Sequence, residues 1–264
     1  MATRTCYIEC FGGGGFCGEE AKLSGTELAS RGGAWIVSPL PRDAPFPASL
    51  RRSDLAIGSP DFVRRALTQL AVPVPSPPDY PAVLAAYLHR AVGVSTLAQI
   101  AALFDAQPRT VIFVKPARDA KAFNGELLSG AEEAAMWLGM WQEAHGPDYP
   151  VQTSEPLDIR VEHRAYVLRG AVVGVGHYGR SAPEGCPELD MATVTAATKA
   201  LHESAERLDG CALDFGVARS ADGGAHFTAL IEANDGLFTG YYAGVSHKDF
   251  VDMCIARWDQ VVGL

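Results

Sequence analysis

The sequence has 264 residues, of which 48% are hydrophobic and 20% charged, and its 22 basic and 31 acidic side chains give a formal charge of −9. At about 150 residues per domain, this length predicts one or two domains with a sizeable core. The composition excludes a disordered or fibrous chain. The acidic balance argues against a protein that coats nucleic acid or an anionic membrane, because phosphate binding needs a surplus of lysine and arginine.

No apolar run reaches the roughly 20 residues that span a bilayer, and the first nine residues lack the apolar stretch of a secretory signal. The six cysteines are too sparse for a disulfide scaffold. Cys6, Cys10 and Cys17 cluster without a CxxC pair or a nearby histidine, which favours small apolar residues over a zinc site. We therefore expect a soluble, cytoplasmic protein with no membrane or nucleic-acid partner.

The N-terminal part of the chain predicts a small α/β domain. Residues 5–10 read as a strand that runs into a glycine loop, and a helix follows over residues 19–30. A second strand is predicted over residues 34–37. A second helix is predicted over residues 60–70, with Pro60 at its start, where a missing amide proton costs nothing.

A proline-rich segment follows this small domain. Residues 72–81 contain five prolines, and each removes a backbone donor that a central strand or helix would need. We predict that the segment is a linker. The predicted domains are therefore an N-terminal α/β domain over residues 1–81 and a second body over residues 82–264.

Beyond the linker the hydrophobic spacing changes from helical to β and predicts an α+β body. Two helices come first, over residues 82–91 and 95–106. The later predicted elements are a strand over 110–114, hairpins over 159–178 and 211–232, a helix between them over 191–208, and a closing helix over 246–258.

The glycine loop contains a G-x-G-x-x-G pattern at Gly13, Gly15 and Gly18, between a predicted strand and a predicted helix. A dinucleotide site also needs an acid about 20 residues later, at the end of a second strand. Ser38 follows that strand, and Asp43 lies in a proline-rich loop. A turn, or a loop that holds a small substrate, is therefore favoured, and a dinucleotide-dependent oxidoreductase stays an alternative.

The C-terminal half contains three oxygen-bearing side chains at the ends of predicted neighbouring strands. Asp214 lies on one strand of the second hairpin, and Glu232 and Asn234 lie near the end of the other. Glu232 and Asn234 are two apart, so a strand points both to one face. Carboxylate and amide oxygens suit Mg²⁺ that takes its other ligands from nucleotide phosphates. The alternative is a strand-end aspartate and an ordinary turn.

Basic residues lie upstream of this acidic set. Lys115 ends an apolar strand, where a lysine charge would be poorly solvated and therefore costly unless it meets a negative charge. Lys121 follows six residues later, and Arg164 lies inside the first hairpin. Together with the oxygen ligands, these cations could clamp a metal-bound triphosphate, although each alone is more often a surface charge.

At these residues the sequence resembles the ATP-grasp superfamily, and in particular the clade named for one arginine and two lysines of the nucleotide site. The likeness extends over about residues 111–245. The matching pieces are residues 111–116, 121–125, 154–156, 162–167, 213–217 and 231–236, followed by 240–242. The resemblance implies two α+β lobes that clamp ATP, preceded by the small α/β domain.

The resemblance also implies roles for individual residues. Lys115 and Lys121 would contact phosphates, and Arg164 would be the family arginine. The implied Mg²⁺ ligands are Asp214, Glu232 and Asn234, the implied adenine-binding hinge is Thr153, Ser154 and Glu155, and the implied catalytic residues are Arg164, Lys121 and, after the first hairpin, Arg180.

The implied activity is that of an ATP- and Mg²⁺-dependent carboxylate–amine ligase that forms an amide or peptide bond through an acyl phosphate. Its substrates would be a small carboxylic acid and an amine, with amino acids or a peptide among the candidates. The alternatives are an ATP-grasp-like kinase acting on a small molecule and a non-catalytic nucleotide-binding module, besides the oxidoreductase.

Overall fold

Short strands and helices alternate along the chain. The computed structural model describes residues 3–11, 18–118, 122–179, 182–220 and 223–264, without the side chains of Glu19 and Tyr178. The strands are β1 (Arg4–Cys10), β2 (Trp35–Pro41), β3 (Leu55–Ile57), β4 (Val92–Thr96), β5 (Val111–Pro116), β6 (Glu126–Ser129), β7 (Pro150–Ser154), β8 (Asp158–Leu168), β9 (Ala171–Tyr178), β10 (Gly210–Arg219) and β11 (His226–Asp235). The helices are α1 (Glu19–Ala29), α2 (Pro60–Gln69), α3 (Ala85–Leu88), α4 (Leu97–Ala106), α5 (Ala131–His145), α6 (Met191–His202) and α7 (His247–Val262).

These elements form two compact units. Unit 1 comprises Met1–Tyr87, Ile159–Ala218 and His226–Leu264, and unit 2 comprises Leu88–Asp158 and Arg219–Ala225. The segment before the proline-rich stretch thus shares a unit with most of the C-terminal half. The division into domains at residue 81 stays a prediction.

A small parallel sheet forms the N-terminal part of unit 1. Strand β1 lies between β2 and β3 and is parallel to both. Its Cys6 and Ile8 side chains are fully buried, because the sheet is covered on the core side. The outer strand β2 contains Pro39 and Pro41, which lack amide protons and therefore suit an edge strand. Helix α2 begins as predicted, with the Ser59 side chain accepting from the amide of Phe62.

The second sheet of unit 1 has the strand order β11-β10-β8-β9. The antiparallel β8–β9 pair confirms the first predicted hairpin, and the adjacent β10 and β11 confirm the second. Helix α6 ends at His202, six residues earlier than predicted. There the Ser204 hydroxyl donates to the Leu201 carbonyl and accepts from the Glu206 amide, so it competes with the helical pattern.

Helix α7 completes the core of unit 1. Ser246 caps its first turn, with the hydroxyl accepting from the Asp249 amide at 3.1 Å. Phe250 and Trp258 are buried, and the Trp258 indole donates to the Arg52 carbonyl at 2.9 Å. In the described part of the chain, no helix combines the length and the apolar character that crossing a membrane requires.

Unit 2 is an antiparallel sheet in the order β4-β7-β5-β6, with a core formed on one face. Val114, Leu128 and Val151 point into that core, where α4 and α5 contribute Leu97 and Leu138. Strands β4, β6 and β7 and helix α5 were not predicted from the sequence. The helix predicted over 82–91 was wrong in its extent: the structure has a 3₁₀ turn and then α3, which ends at Leu88 before a positive φ at His89.

Candidate functional site

Three predicted oxygen-bearing residues meet in unit 1. Asp214 lies in β10, and Glu232 and Asn234 lie on one face of the adjacent β11. The Asn234 amide nitrogen Nδ2 donates to Asp214 Oδ2 at 3.0 Å. Burial raises the pKa of Asp214 and the charge of Glu232 raises it further, in spite of hydrogen bonds from Arg164 and Asn234. The predicted convergence of the three side chains is therefore present.

Arg164 forms a buried ion pair with Asp214. Its Nε and Nη2 atoms donate to Oδ1 and Oδ2 of the carboxylate, each at 2.7 Å. The arginine is 6% exposed and the aspartate 2%. Such a two-point contact fixes both side chains more firmly than a single hydrogen bond would. In this structure Arg164 therefore neutralises and orients the buried carboxylate, a partner that the sequence reading did not assign to it.

A third carboxylate lies beside this pair. Glu162 precedes Arg164 by two residues on β8 and so shares its face of the sheet. Burial raises the pKa of Glu162, and the charges of Asp214 and Glu232 add to the rise. Glu162 lies in one of the segments that resemble the ATP-grasp clade, but its sequence context predicted no role for it. Its place in the site could have been predicted from the alternation of side chains along a strand, which puts Glu162 on the same face as Arg164.

The donor set fits a magnesium ion. Two carboxylates and an amide oxygen are hard oxygen ligands, and the charge of Glu232 contributes to the raised pKa of Asp214. A bound divalent cation would relieve that repulsion. Among the described residues, no group of three or more His, Cys, Asp or Glu side chains is placed to hold a metal ion. The candidate set instead combines the carboxylates of Asp214 and Glu232 with the amide of Asn234.

Two tyrosines complete the surroundings of Arg164. The Tyr242 ring centroid lies 5.1 Å from the Arg164 guanidinium carbon. Tyr166, on the same face of β8 as Arg164, is fully buried, and its hydroxyl accepts a hydrogen bond from the Tyr242 amide at 2.8 Å. Both tyrosines lie in segments that resemble the ATP-grasp clade, but no function was predicted for either.

Unit 2 contains Lys115 and the predicted adenine hinge. Lys115 lies in β5 in register with Gln152 of β7, and Val94 of β4 is in register with the same Gln152. Directly opposed residues share a face, so these three side chains form a row on the sheet face opposite the α4 and α5 core. Lys115 thus lies on the face away from that core, as a lysine that meets a phosphate requires.

The predicted adenine hinge lies at the end of β7. Ser154 is buried, and Thr153 is in register with Val114 and so faces the core side. The Glu155 amide donates to the Ala91 carbonyl at 3.0 Å, and its carboxylate accepts from the Ala91 amide at 2.9 Å. Through these two hydrogen bonds, Glu155 holds the chain after β7 against the segment that precedes β4.

Two predicted site residues lie outside the described residues. Lys121 and Arg180 fall in the intervals 119–121 and 180–181. Residues 12–17 of the glycine loop are outside them as well, although Gly18 is described, with φ +92° at the cap of α1. The remaining predicted residues divide between the units: the acidic set and Arg164 lie in unit 1, and Lys115 and the hinge lie in unit 2.

A family model matches residues 87–253 and describes an ATP-grasp domain, family 2 of the clade named for one arginine and two lysines. The match includes more than half of the chain. It also includes every described residue of the predicted site, in unit 1 and in unit 2 alike. The chain belongs to this family. The resemblance inferred from the sequence is confirmed, and so is the ATP-grasp fold with its mixed α and β content.

Solved structures agree with this ATP-grasp assignment. The chain is 15% identical to an ATP-grasp RimK domain protein from Sphaerobacter thermophilus, with a TM-score of 0.57 and coverage of 96% of this chain and 98% of that one. It is 14% identical to a D-cycloserine synthetase, with a TM-score of 0.62 and coverage of 96% and 99%. It is also 14% identical to a Bacillus anthracis D-alanine–D-alanine ligase in complex with ATP, with a TM-score of 0.57 and coverage of 99% of each chain. A search of curated protein sequences finds no match.

Proposed function

We propose that this ATP-grasp protein is an ATP- and Mg²⁺-dependent carboxylate–amine ligase that forms an amide or peptide bond. The observation that carries the proposal is the set of Asp214, Glu232 and Asn234 on adjacent strands of an ATP-grasp fold, with Arg164 paired to Asp214. Support comes from structural relatives that include D-alanine–D-alanine ligases and a D-cycloserine synthetase, whose activities are compatible with this reaction class.

The proposed reaction has two steps. A substrate carboxylate attacks the γ-phosphorus of ATP, so that a carbon-bound oxygen gains the phosphoryl group and ADP leaves. The amine then attacks the acyl carbon, the bond between that carbon and the phosphate oxygen breaks so that inorganic phosphate leaves, and the amine loses a proton. Mg·ATP supplies the phosphoryl group and a cation that offsets its charge. Such chemistry depends on positioning and charge stabilisation and needs no protein nucleophile.

The residues of unit 1 would hold the metal and set its surroundings. Asp214, Glu232 and the Asn234 amide oxygen would be its protein ligands. Because Asn234 donates through Nδ2 to Asp214, its Oδ1 atom is the one left for a cation. Arg164 would hold the Asp214 carboxylate in a fixed orientation, and its charge would also favour the transferring phosphoryl group.

The residues of unit 2 would bind the nucleotide. Lys115 is the proposed phosphate contact, supported by its place on the sheet face away from the core. Thr153, Ser154 and Glu155 are the proposed adenine hinge. Lys121 and Arg180 are proposed phosphate-contacting and catalytic residues on the strength of the family resemblance.

A product screen tests the proposed reaction. The protein would be incubated with ATP, Mg²⁺ and pooled amino acids and small carboxylic acids, and products would be followed by mass spectrometry. A ligase yields ADP, phosphate and a new mass equal to acid plus amine minus water. A phosphorylated small molecule without an amide would indicate a kinase. In a thermal-shift screen, stabilisation by NAD or FAD without any response to Mg·ATP would overturn the proposal.

Matched substitutions test the metal ligands. Glu232→Gln removes one carboxylate charge with little change in shape, and it should abolish Mg²⁺-dependent nucleotide turnover. Glu203→Gln is the control, because Glu203 is exposed at the end of α6 and pairs only loosely with Lys199 at 3.8 Å. Equal turnover by the two variants would remove Glu232 from the proposed site.

A further inference from the structure

Residues 240–245, here called the strap, cross the face of β8 and β9 that carries Arg164. An antiparallel bridge joins Gly174 of β9 to Val245 of the strap. In the β8–β9 register, Arg164 lies opposite Gly176 and Tyr166 lies opposite Gly174. The strap therefore passes directly beside the two β8 residues that border the candidate metal site.

Glycines in β9 make this close approach feasible. A β-carbon on Gly176 would collide with the Ala243 carbonyl, and one on Gly174 would lie 2.6 Å from the Gly244 carbonyl. Both neighbours are backbone atoms, so no side-chain rotation could relieve the overlap. Gly244 has φ +117°, which a residue with a side chain rarely adopts. The path of the strap thus depends on three glycines.

The Tyr166 hydroxyl fastens the strap to the sheet. It donates to the Gly240 carbonyl at 3.0 Å and accepts from the Tyr242 amide at 2.8 Å. The side chain is fully buried, and its ring packs edge-on against Phe250 at 6.0 Å. A phenylalanine at this position would keep the packing but leave both backbone groups without this partner.

The Tyr242 ring connects the strap to the metal site. Its centroid lies 5.1 Å from the Arg164 guanidinium carbon, and Arg164 donates hydrogen bonds to both carboxylate oxygens of Asp214. The ring is 39% exposed, so it contributes little to the core of unit 1. The placement of the guanidinium over the ring is that of a cation–π contact.

We infer that the strap is a positioning element for the site and that Tyr166 and Tyr242 are its positioning residues. The Tyr166 hydroxyl fixes the strap, the Tyr242 ring then holds the guanidinium of Arg164, and the guanidinium orients the Asp214 carboxylate toward a metal ion. This inference rests on the proposed function, because it assigns the two tyrosines to the same Mg·nucleotide site. They act through Arg164 and need no contact with substrate.

Calorimetric titration with a non-hydrolysable ATP analogue, with Mg²⁺ and in EDTA, tests the inference. Tyr242→Leu should weaken binding in Mg²⁺ by about two- to five-fold, the size of a partly exposed cation–π contact, and leave binding in EDTA unchanged. Tyr242→Phe keeps the ring and should bind like wild type. Tyr166→Phe should weaken Mg²⁺-dependent binding in the same way as Tyr242→Leu.

Tyr7→Phe is the matched control for Tyr166→Phe, since it removes a hydroxyl from another buried tyrosine of unit 1 and should leave binding unchanged. Equal binding by Tyr242→Leu and wild type would overturn the inference, as would equal losses with and without Mg²⁺, which indicate general destabilisation. If wild type itself does not bind the analogue with Mg²⁺, the proposed function fails. Binding by wild type with an unaffected Tyr242→Leu refutes only the role of the strap.

Discussion

The guanidinium of Arg164 lies against the carboxylate of Asp214 with two donor atoms, each 2.7 Å from a separate oxygen. Neither side chain has appreciable contact with solvent, so each charge depends on the other for its stability. Asp214 is therefore both a proposed metal ligand and the partner that keeps a buried cation neutralised. Substitutions at this position should change stability as well as activity.

Asp214→Ala should lower the free energy of unfolding by about 3–5 kcal/mol, because it leaves the Arg164 charge buried without its carboxylate. The double variant Arg164→Met with Asp214→Leu should lose less than the sum of the losses of Arg164→Met and of Asp214→Leu, each measured as a single variant. Urea denaturation of the two single variants and the double variant measures this difference. Asp61→Ala is the control, since its pair with Arg64 is exposed and should contribute little. Additive losses would contradict the expectation.

Much of the candidate site was predictable from the sequence because its signals are local. The two-residue spacing of Glu232 and Asn234 fixes their common face, and Lys115 follows an apolar strand. The partner of Arg164 was not predictable in this way. Asp214 is 50 residues away along the chain, and only the pairing of β8 with β10 brings them together.

The fold was predicted less evenly than the site. Both hairpins of unit 1 have glycine-containing turns between strands and were predicted. Helix α5 was overlooked although it contains strong helix formers, because its aromatic and methionine residues lie on several faces and blur the period. Strand β7 is short and begins at a proline, which weakens its sequence signal.

Stability at low pH should depend on Asp54. Burial alone would raise its pKa, but hydrogen bonds from the Arg51 side chain and from the amides of Thr5 and Arg51 lower it overall. A folded-state pKa below the unfolded value of about 3.9 stabilises the protein above that value, and this stabilisation is lost as pH falls.

Wild type should therefore lose more stability between pH 5 and pH 3 than Asp54→Asn does. Thermal unfolding of both proteins across this range measures the difference. Parallel curves for the two proteins would show that the carboxylate has no such linkage.

Glu20 should have the opposite effect. Burial raises its pKa, and the hydrogen bond from the Tyr241 amide at 3.2 Å offsets the rise only in part. The folded state then holds the proton more tightly than the unfolded state, so stability decreases as pH rises above about 4.3. Glu20→Gln keeps an acceptor for Tyr241 and should raise the melting temperature at pH 7. The advantage should shrink at pH 4, and an equal gap at both values would contradict this account.

Gly139→Ala should stabilise α5 by about 0.5–1 kcal/mol, because glycine inside a helix is entropically costly. A β-carbon there meets no atom within 4 Å. Amide hydrogen exchange along the helix measures the local gain. Gly236→Ala provides the contrast, since its β-carbon would lie 2.6 Å from the Gly210 carbonyl and should destabilise unit 1. A loss of protection in Gly139→Ala would contradict the prediction.

Unit 1 is built from segments on both sides of unit 2 in the sequence, so the ribosome finishes most of unit 2 before it finishes unit 1. Unit 2 comes almost wholly from the continuous stretch Leu88–Asp158, whereas unit 1 needs α7 to fill its core. Strand β3 is synthesised about 200 residues before the end of α7, which corresponds to roughly 10–40 s of translation. During that interval the core-facing side chains of the parallel sheet lack their final partners. The nascent chain therefore exposes the parallel sheet of unit 1 to chaperones and proteases for longer than it exposes the antiparallel sheet of unit 2.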